Sequence, residues 1–141
     1  MKFIPYLTFE GNAEESINFY ADALGGKIEG IMLYKDAPPG EGMPPTPDDY
    51  MDKILHGSLN INGEVLYFSD AFPGSEVISG NTVEINIACD SEEQLREIYN
   101  KLVIDGQVLM PVDKMFWGAI FGSIKDKFGI GWNLNYDFPQ E

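Results

Sequence analysis

The sequence of this chain contains one pattern twice, and an internal repeat restricts a fold more strongly than composition does. Around residue 12 the chain reads TFEGNAEESINFYADALGGKI, and around residue 90 it reads NIACDSEEQLREIYNKLVIDGQV. In the first copy, we interpret Asn12 and Glu15 as a capping box that satisfies the free amides of a helix start. Asp90 and Glu93 have the same interpretation in the second copy. Apolar residues then follow at helical spacing in both copies: Ile17, Tyr20, Ala21 and Leu24, then Leu95, Ile98, Tyr99 and Leu102.

The second part of each copy has the pattern of a hairpin. HGSLNINGEVLYFSD contains the turn signal Asn62-Gly63 between two apolar runs, and AIFGSIKDKFGIGWNLNYD contains a turn signal at Asp126 to Gly129. Gly25-Gly26 and Gly106 suit the chain reversals after the two helices. Each copy is therefore predicted to contain a strand, a helix, a strand and a hairpin.

These patterns predict an α+β fold, in which tandem βαβββ modules form a cupped eight-stranded mixed sheet. We expect one domain over residues 1–141, with module one at about 1–70, a linker at 71–81 and module two at about 82–141. The proline-rich segment from Asp36 to Asp49 is predicted to be a long exposed loop, because proline lacks the amide donor that helices and central strands need. Strands are predicted at 3–9, 28–34, 54–61, 64–70, 83–89, 107–112, 117–125 and 130–136, and helices at 13–24 and 91–103.

Charge and cysteine content exclude several classes of partner and point to a compartment. The net charge is −14, and the nine Lys and Arg residues are not clustered, so neither nucleic acid nor an anionic membrane surface is an expected partner. The single cysteine, Cys89, cannot form an internal disulfide, which favours a reducing compartment. No signal-peptide core or membrane span is evident. We expect a cytoplasmic protein.

Strand alternation divides the side chains between two faces of the predicted sheet. One parity is apolar and should lie under the helices: Phe3, Leu7, Phe9, Val83, Ile85, Ile87 and Cys89. The opposite parity carries hydrogen-bonding groups and is predicted to line a cavity, with Phe116, Ile120 and Ile124 on the same side. The alternative is an ordinary half-solvated antiparallel sheet. The ligand-binding candidates are Tyr6, Thr8, His56, Tyr67, Glu84, Asn86, Phe116, Trp117 and Asn133.

Several of these candidates also have a purely structural interpretation. His56, the sole histidine, could be a structural hydrogen-bonding residue, and Glu84 could be a solvated rim carboxylate. Phe116 and Trp117 are interpreted as core residues, with an aromatic pocket wall as the alternative. Cys89 is expected to be a buried, inert thiol. Met43 and Met51 flank the proline-rich loop and could fold over a ligand, although a surface loop is the simpler interpretation.

The opening YLTFEGNAEESINFYADALGGK resembles the vicinal-oxygen-chelate (glyoxalase/bleomycin-resistance/dioxygenase) superfamily, especially its PhnB-like branch. His56 before a strand, Ser69-Asp70, Phe116-Trp117-Gly118 and Gly122-x-x-x-Asp126-x-Phe128-Gly129 extend the resemblance over essentially the whole chain. It implies paired βαβββ modules and, by analogy, a homodimer. Catalytic relatives hold a divalent metal at four positions. These map to Pro5 or Tyr6, Tyr67, Glu84 and Asn133.

Of these four positions, only Glu84 offers a competent anionic ligand, so we predict no metal and no cofactor. The PhnB-like branch sometimes carries demethylubiquinone methyltransferase names, but no Gly-rich strand-to-helix turn is present to bind S-adenosylmethionine. The leading hypothesis is a metal-independent small-molecule binding protein for an aromatic or amphipathic compound. The alternatives are a lyase or isomerase that uses Glu84 and His56, with or without a weakly held metal, and a scaffold that merely dimerises.

Overall fold

A computed structural model describes residues 1–38, 42 and 44–140, and these form eight strands, two α-helices and two short 3-10 turns. The 3-10 turns, Tyr34–Asp36 and Asp48–Tyr50, lie at the two ends of the proline-rich segment. The chain divides into two compact units, Met1–Ile78 and Ser79–Glu141. The other elements are β1 (Tyr6–Phe9), α1 (Ala13–Leu24), β2 (Lys27–Leu33), β3 (Ile54–Ile61), β4 (Glu64–Asp70), β5 (Ile85–Ala88), α2 (Glu92–Leu102), β6 (Gln107–Met115), β7 (Ala119–Lys125) and β8 (Gly131–Asp137).

Each unit contains one βαβββ module, as the repeat predicts. The strand order is β1-β4-β3-β2 in the first unit and β5-β8-β7-β6 in the second. In both, the first strand runs parallel to the last, and the remaining pairs are antiparallel. The α+β class and the two modules are confirmed, whereas the predicted eight-stranded sheet is divided into two four-stranded mixed sheets. Neither helix in the described part of the chain is long and apolar enough to cross a membrane.

The core of the first unit lies between α1 and one face of its sheet. Leu7 and Phe9 of β1 are buried, as their parity predicts, together with Phe68 of β4. The rings of Phe9 and Phe68 are stacked with centroids 6.1 Å apart, and Tyr20 from α1 packs against Phe68 at 5.8 Å. Because α1 buries Ile17 and Tyr20 on a single face, the apolar spacing in the sequence correctly predicts which side of the helix contacts the sheet.

The second unit has an equivalent core beneath α2, and it corrects one prediction. Ile120 and Ile124, which we expected on the cavity side, are fully buried on the helix side with Trp132 and Leu134. A Cβ on Gly122, which has the same parity as both isoleucines, would lie 3.0 Å from the Tyr99 ring of α2. The cause is the turn at residues 116–118, which interrupts the alternation. The face on which the Ile120 and Ile124 side chains lie therefore cannot be predicted from the parity of Phe116.

The first strand of each module is shorter than predicted. Phe3 and Val83, which we expected under the helices, are 93% and 81% exposed and precede their strands. Proline at position 5 cannot donate a hydrogen bond to a neighbouring strand, so pairing with β4 begins at Tyr6. In the second unit, β8 begins at Gly131 and leaves no ladder partner for Val83.

The two helix starts are capped by side chains other than those predicted. Asn12 makes no side-chain capping bond. The amide of Ala13 instead donates to Asp70 Oδ1 at 2.9 Å, and the amide of Ile54 donates to Asp70 Oδ2 at 2.9 Å. The buried Asp70 carboxylate at the end of β4 thus joins the start of α1 to the start of β3. It satisfies amides that are 57 and 16 residues away in sequence.

In the second unit the predicted Asp90–Glu93 box is displaced by one residue. Ser91 is the N-cap, and its hydroxyl accepts a hydrogen bond from the amide of Gln94 at 3.0 Å. The side chain of Gln94 in turn accepts from the amide of Asp90 at 2.7 Å. Ser91 and Gln94 therefore cap this helix start, and the glutamine side chain bonds the amide that precedes the N-cap.

The predicted turns are present, and one glycine acts differently from expectation. Gly25 ends α1 in the left-handed conformation, and Asn62 and Gly63 both have positive φ, as a tight hairpin turn requires. Asp126 closes its turn by accepting bonds from the amides at positions 128 and 130 and from Trp132 Nε1 at 2.7 Å. Gly106 is required by close packing, because a Cβ there would lie 2.4 Å from the carbonyl oxygen of Lys125.

The proline-rich segment is ordered at both ends. Tyr34, in the first 3-10 turn, is buried, and its hydroxyl donates to the carbonyl of Asp70 at 2.7 Å. Met51 follows the second 3-10 turn and is half-buried, whereas Met43 lies outside the described residues. The long exposed loop predicted from Asp36 to Asp49 is therefore bounded by structured turns, because tyrosine side chains anchor its flanks.

We predict that Asp70→Ala lowers the free energy of unfolding by about 2 to 4 kcal/mol, because two buried amides lose an ionised acceptor. Urea unfolding followed by circular dichroism measures this change. The matched control is Asp52→Ala, whose carboxylate is 84% exposed in a surface ion pair with Lys35 and should leave the midpoint unchanged. Equal midpoints for wild type and Asp70→Ala would contradict the capping role.

Candidate functional site

Three of the predicted site residues lie together on the face of the first sheet opposite α1. Tyr6 of β1 is in register with Tyr67 of β4, and Ser58 of β3 is in register with Tyr67. His56 precedes Ser58 by two residues on the same strand, so its side chain projects from the same face. We call Tyr6, His56 and Tyr67 the ring cluster.

The rings of the cluster meet at steep angles. The centroids of His56 and Tyr67 are 4.7 Å apart with planes at 70°, and those of Tyr6 and Tyr67 are 5.8 Å apart at 79°. The hydroxyl of Tyr6 lies 3.3 Å from Nδ1 of His56, within hydrogen-bonding distance. Tyr6 is 52% exposed, and the other two rings are half-buried. Solvent can therefore reach the place where the three aromatic rings of the cluster meet.

Polar and apolar side chains surround the ring cluster. Thr8 is exposed and lies opposite Ser69, one step further along β1 and β4. The hydroxyl of Ser58 donates to the carbonyl of Glu29 at 3.2 Å. Met32 lies opposite His56 on β2 and is 45% exposed. A molecule against the cluster would meet a flexible thioether on one side and hydroxyl groups on another.

The candidates of the second unit are distributed along its sheet. Asn86 of β5 is in register with Asn133 of β8, so the two amides are neighbours. Glu84 lies beside the start of β8, since a Cβ on Gly131 would come within 3.0 Å of its side chain. This exposed carboxylate and the two amides form a polar group at one end of the sheet.

Phe116 and Trp117 lie at the other end of the same sheet. They occupy the turn between β6 and β7, and β7 begins opposite Asp137 at the end of β8. Because a strand rises about 3.3 Å per residue, this turn is roughly 20 Å from the start of β8. The two rings are T-shaped with centroids 5.0 Å apart, and they are 98% and 55% exposed. The interpretation of both residues as core is therefore wrong.

Of the four positions to which the family resemblance maps a metal site, only Glu84 carries a strong ligand. The first unit offers the phenols of Tyr6 and Tyr67, and the second offers the carboxylate of Glu84 and the amide of Asn133. Neutral phenols and amides are poor ligands for the divalent metals that imidazoles and carboxylates bind. No group of three or more His, Cys, Asp or Glu side chains in the described ranges could hold a metal ion. The donor set does not fit a catalytic metal centre.

The sequence pattern did not predict a second aromatic group, which lies beside the end of β4 and the residues that follow it. Tyr34 contacts Tyr50 and Phe72 edge-on, with centroids 5.1 and 5.8 Å away. The hydroxyl of Tyr50 donates to the carbonyl of Ala71, and burial together with the nearby Asp70 charge raises the pKa of Tyr50 to about 12. Tyr50 and Phe72 border an open cavity of about 350 Å³ that Glu10 and Glu76 also line. Tyr50 follows the proline-rich loop, where alternation gives no signal.

Cys89 is buried at the end of β5, and burial raises the pKa of its thiol to about 11, with a further contribution from Asp90. Reactive cysteines have the opposite property, a lowered pKa in an accessible position. The environment of the Cys89 thiol is therefore that of a buried, unreactive cysteine.

Comparison with known proteins finds relatives that match nearly the whole chain. The sequence profile of the family described as 3-demethylubiquinone-9 3-methyltransferase matches residues 1–135. Protein YjdN of Escherichia coli K12 is 30% identical, covering 96% of this chain and 95% of its own. Protein PA1353 from Pseudomonas aeruginosa has a crystal structure that is similar with a TM-score of 0.84 at 32% identity, covering 97% and 98% of the two chains.

Two further solved structures are similar to this chain. A PhnB protein from Bacillus cereus, described as a 3-demethylubiquinone-9 3-methyltransferase, has a TM-score of 0.78 at 27% identity, covering 96% of this chain and 99% of its own. A glyoxylase/bleomycin resistance protein/dioxygenase domain from Frankia sp. EAN1pec shares the fold alone, with a TM-score of 0.68 at 12% identity over 98% of each chain.

We predict that Cys89 resists alkylation in the folded protein. With a pKa of about 11, the thiolate fraction at pH 8 should be roughly a hundredfold smaller than in the unfolded chain. Iodoacetamide labelling followed by mass spectrometry, with and without urea, measures the two rates. Comparable rates in both conditions would show that the thiol is accessible and ordinary.

Proposed function

The chain belongs to the 3-demethylubiquinone-9 3-methyltransferase family, the PhnB-like relatives of the glyoxalase superfamily, and from this membership we propose that it binds a small organic molecule without a metal ion. The ring cluster is the observation that carries the proposal. Aromatic rings that solvent can reach, with hydrogen-bonding groups among them, supply the apolar surface and the polar contacts that small-molecule sites use.

An aromatic or amphipathic ligand fits the ring cluster best. Tyr67 and Tyr6 offer apolar faces for stacking, and their hydroxyls and the His56 imidazole offer polar contacts at the margins. Met32 adds a side chain that adapts to irregular shapes. Independence from metal is supported by the donor chemistry, since the mapped positions hold two phenols, an amide and a single carboxylate, where metal sites use several imidazoles and carboxylates.

The proposal covers binding and leaves out methyl transfer. A methyl transferase must also hold S-adenosylmethionine, for which a glycine-rich turn between a strand and a helix is the usual device. The turn between β1 and α1 contains a single glycine, Gly11, and the turn between β5 and α2 is Cys89-Asp90-Ser91. Neither turn supports a second, nucleotide-like ligand.

We also propose that the protein is a homodimer. The support is exposed apolar surface on β6, an edge strand, where Val108, Leu109 and Met110 are 48%, 51% and 44% exposed. Phe116, in the turn that follows, is 98% exposed. Several large apolar side chains exposed along one edge strand are unfavourable in water and suit a protein interface.

We predict that a ligand found by screening aromatic metabolites and antibiotics binds roughly tenfold more weakly to Tyr67→Ala than to wild type, because a stacking face is lost. Isothermal titration calorimetry measures both affinities. Tyr136→Ala is the matched control, since it removes the same side chain from β8 of the other unit and should leave the affinity unchanged. If no compound in the panel bound, or if both variants lost affinity equally, the proposal would fail.

We predict a molar mass of about twice 15.7 kDa by light scattering on a sizing column, and a shift toward monomer in Leu109→Asp, which places a charge on the exposed β6 surface. Lys114→Gln, on the same strand, is the control, because it changes the net charge by the same single unit without adding a carboxylate. A wild-type chain that remains monomeric at high concentration would contradict the dimer.

A further inference from the structure

We infer that Tyr6 holds the proton of the neutral His56 imidazole on Nε2, so that the ring cluster presents a hydrogen-bond donor and selects planar aromatic compounds that carry a carbonyl oxygen. This inference rests on the proposed small-molecule binding function and adds the chemical class of the ligand. Tyr6 is then a positioning residue, which acts on the ligand through the imidazole.

The first step concerns the contact between Tyr6 and His56. The phenol oxygen lies 3.3 Å from Nδ1, and a neutral imidazole has one nitrogen that donates and one that accepts. A phenol O–H is a good donor toward an imidazole lone pair. Tyr6 therefore donates to Nδ1, and the ring proton resides on Nε2.

The second step concerns the surroundings of the imidazole. Tyr67 packs against the ring with its plane at 70° and its centroid 4.7 Å away, which restricts rotation of the imidazole. Within the described part of the chain, Tyr6 is the only hydrogen-bond partner of the His56 side chain. The Nε2–H group is thus available to a ligand, whereas the lone pair that a general base needs is occupied by the phenol.

The third step identifies the ligand chemistry. A group that only donates recognises an acceptor, and the rings of Tyr6 and Tyr67 on either side favour a flat apolar body next to that acceptor. A carbonyl oxygen in the plane of an aromatic ring system satisfies both requirements at once. A ligand with only donors, such as an ammonium group, would meet the Nε2–H group without forming a bond.

The tautomer can be observed directly because His56 is the sole histidine, so long-range ¹H–¹⁵N NMR of labelled protein shows one imidazole. At a pH that keeps the ring neutral, we expect Nδ1 at an unprotonated and Nε2 at a protonated nitrogen shift. Tyr6→Phe should move both shifts toward each other as the tautomers mix. Tyr67→Phe keeps the ring contact and the Tyr6 bond, and it should leave the shifts unchanged. A proton on Nδ1 in wild type, or no effect of Tyr6→Phe, would overturn the inference.

The ligand class is tested with three compounds of matched shape: 1-indanone, which has a carbonyl acceptor, indane, which has no polar group, and 1-aminoindane, which has donors only. In NMR titrations we expect 1-indanone to bind about fivefold to tenfold more tightly than indane and to shift the His56 resonances, and we expect Tyr6→Phe to reduce this difference. Equal affinities for the three compounds would overturn the ligand class and leave the binding function intact. If the tautomer is as expected but neither these compounds nor any in the screened panel bind, the proposed function itself fails.

Discussion

The parallel pairing of the first and last strands in each module is the constraint on which the rest of the structure depends. A parallel pair needs a long connection, which runs through the helix and the two middle strands of each module, and the helix covers one face of the sheet. The register Tyr6 opposite Tyr67 then assembles the ring cluster on the uncovered face. In the second module the same pairing brings Asn86 beside Asn133. The two modules thus share a framework and differ in the side chains that it displays.

Much of the fold could be predicted because its signals are local. The bounds of α1, β3 and β4 agree with the prediction, since a helical stripe and an alternating pair of runs around Asn62-Gly63 are contained in short segments. The errors occurred where the outcome depends on distant partners. Whether Phe3 or Val83 belongs to a strand is decided by what lies beside it, and the cap of α1 comes from Asp70, a residue that no pattern around position 12 could indicate.

The candidate site was predictable to the extent that a single module determines it. Alternation within β1, β3 and β4 was sufficient to place Tyr6, His56 and Tyr67 on one face, because all three strands belong to one sheet. The same reasoning failed for Ile120 and Ile124, because the turn before β7 resets the alternation. It also could not show that Phe116 and Trp117 lie in that turn, where aromatic side chains extend into solvent.

The position of the Asp70 carboxylate has a consequence for the order in which the chain acquires structure during synthesis. Residues 13 and 54 are synthesised before residue 70, so their amides have no acceptor until Asp70 has been added to the chain. The first turn of α1 therefore lacks its buried partner until almost the whole amino-terminal module has left the ribosome. Contacts between residues so distant in sequence form slowly, so this module should become protected from proteases as a unit and late, rather than helix first.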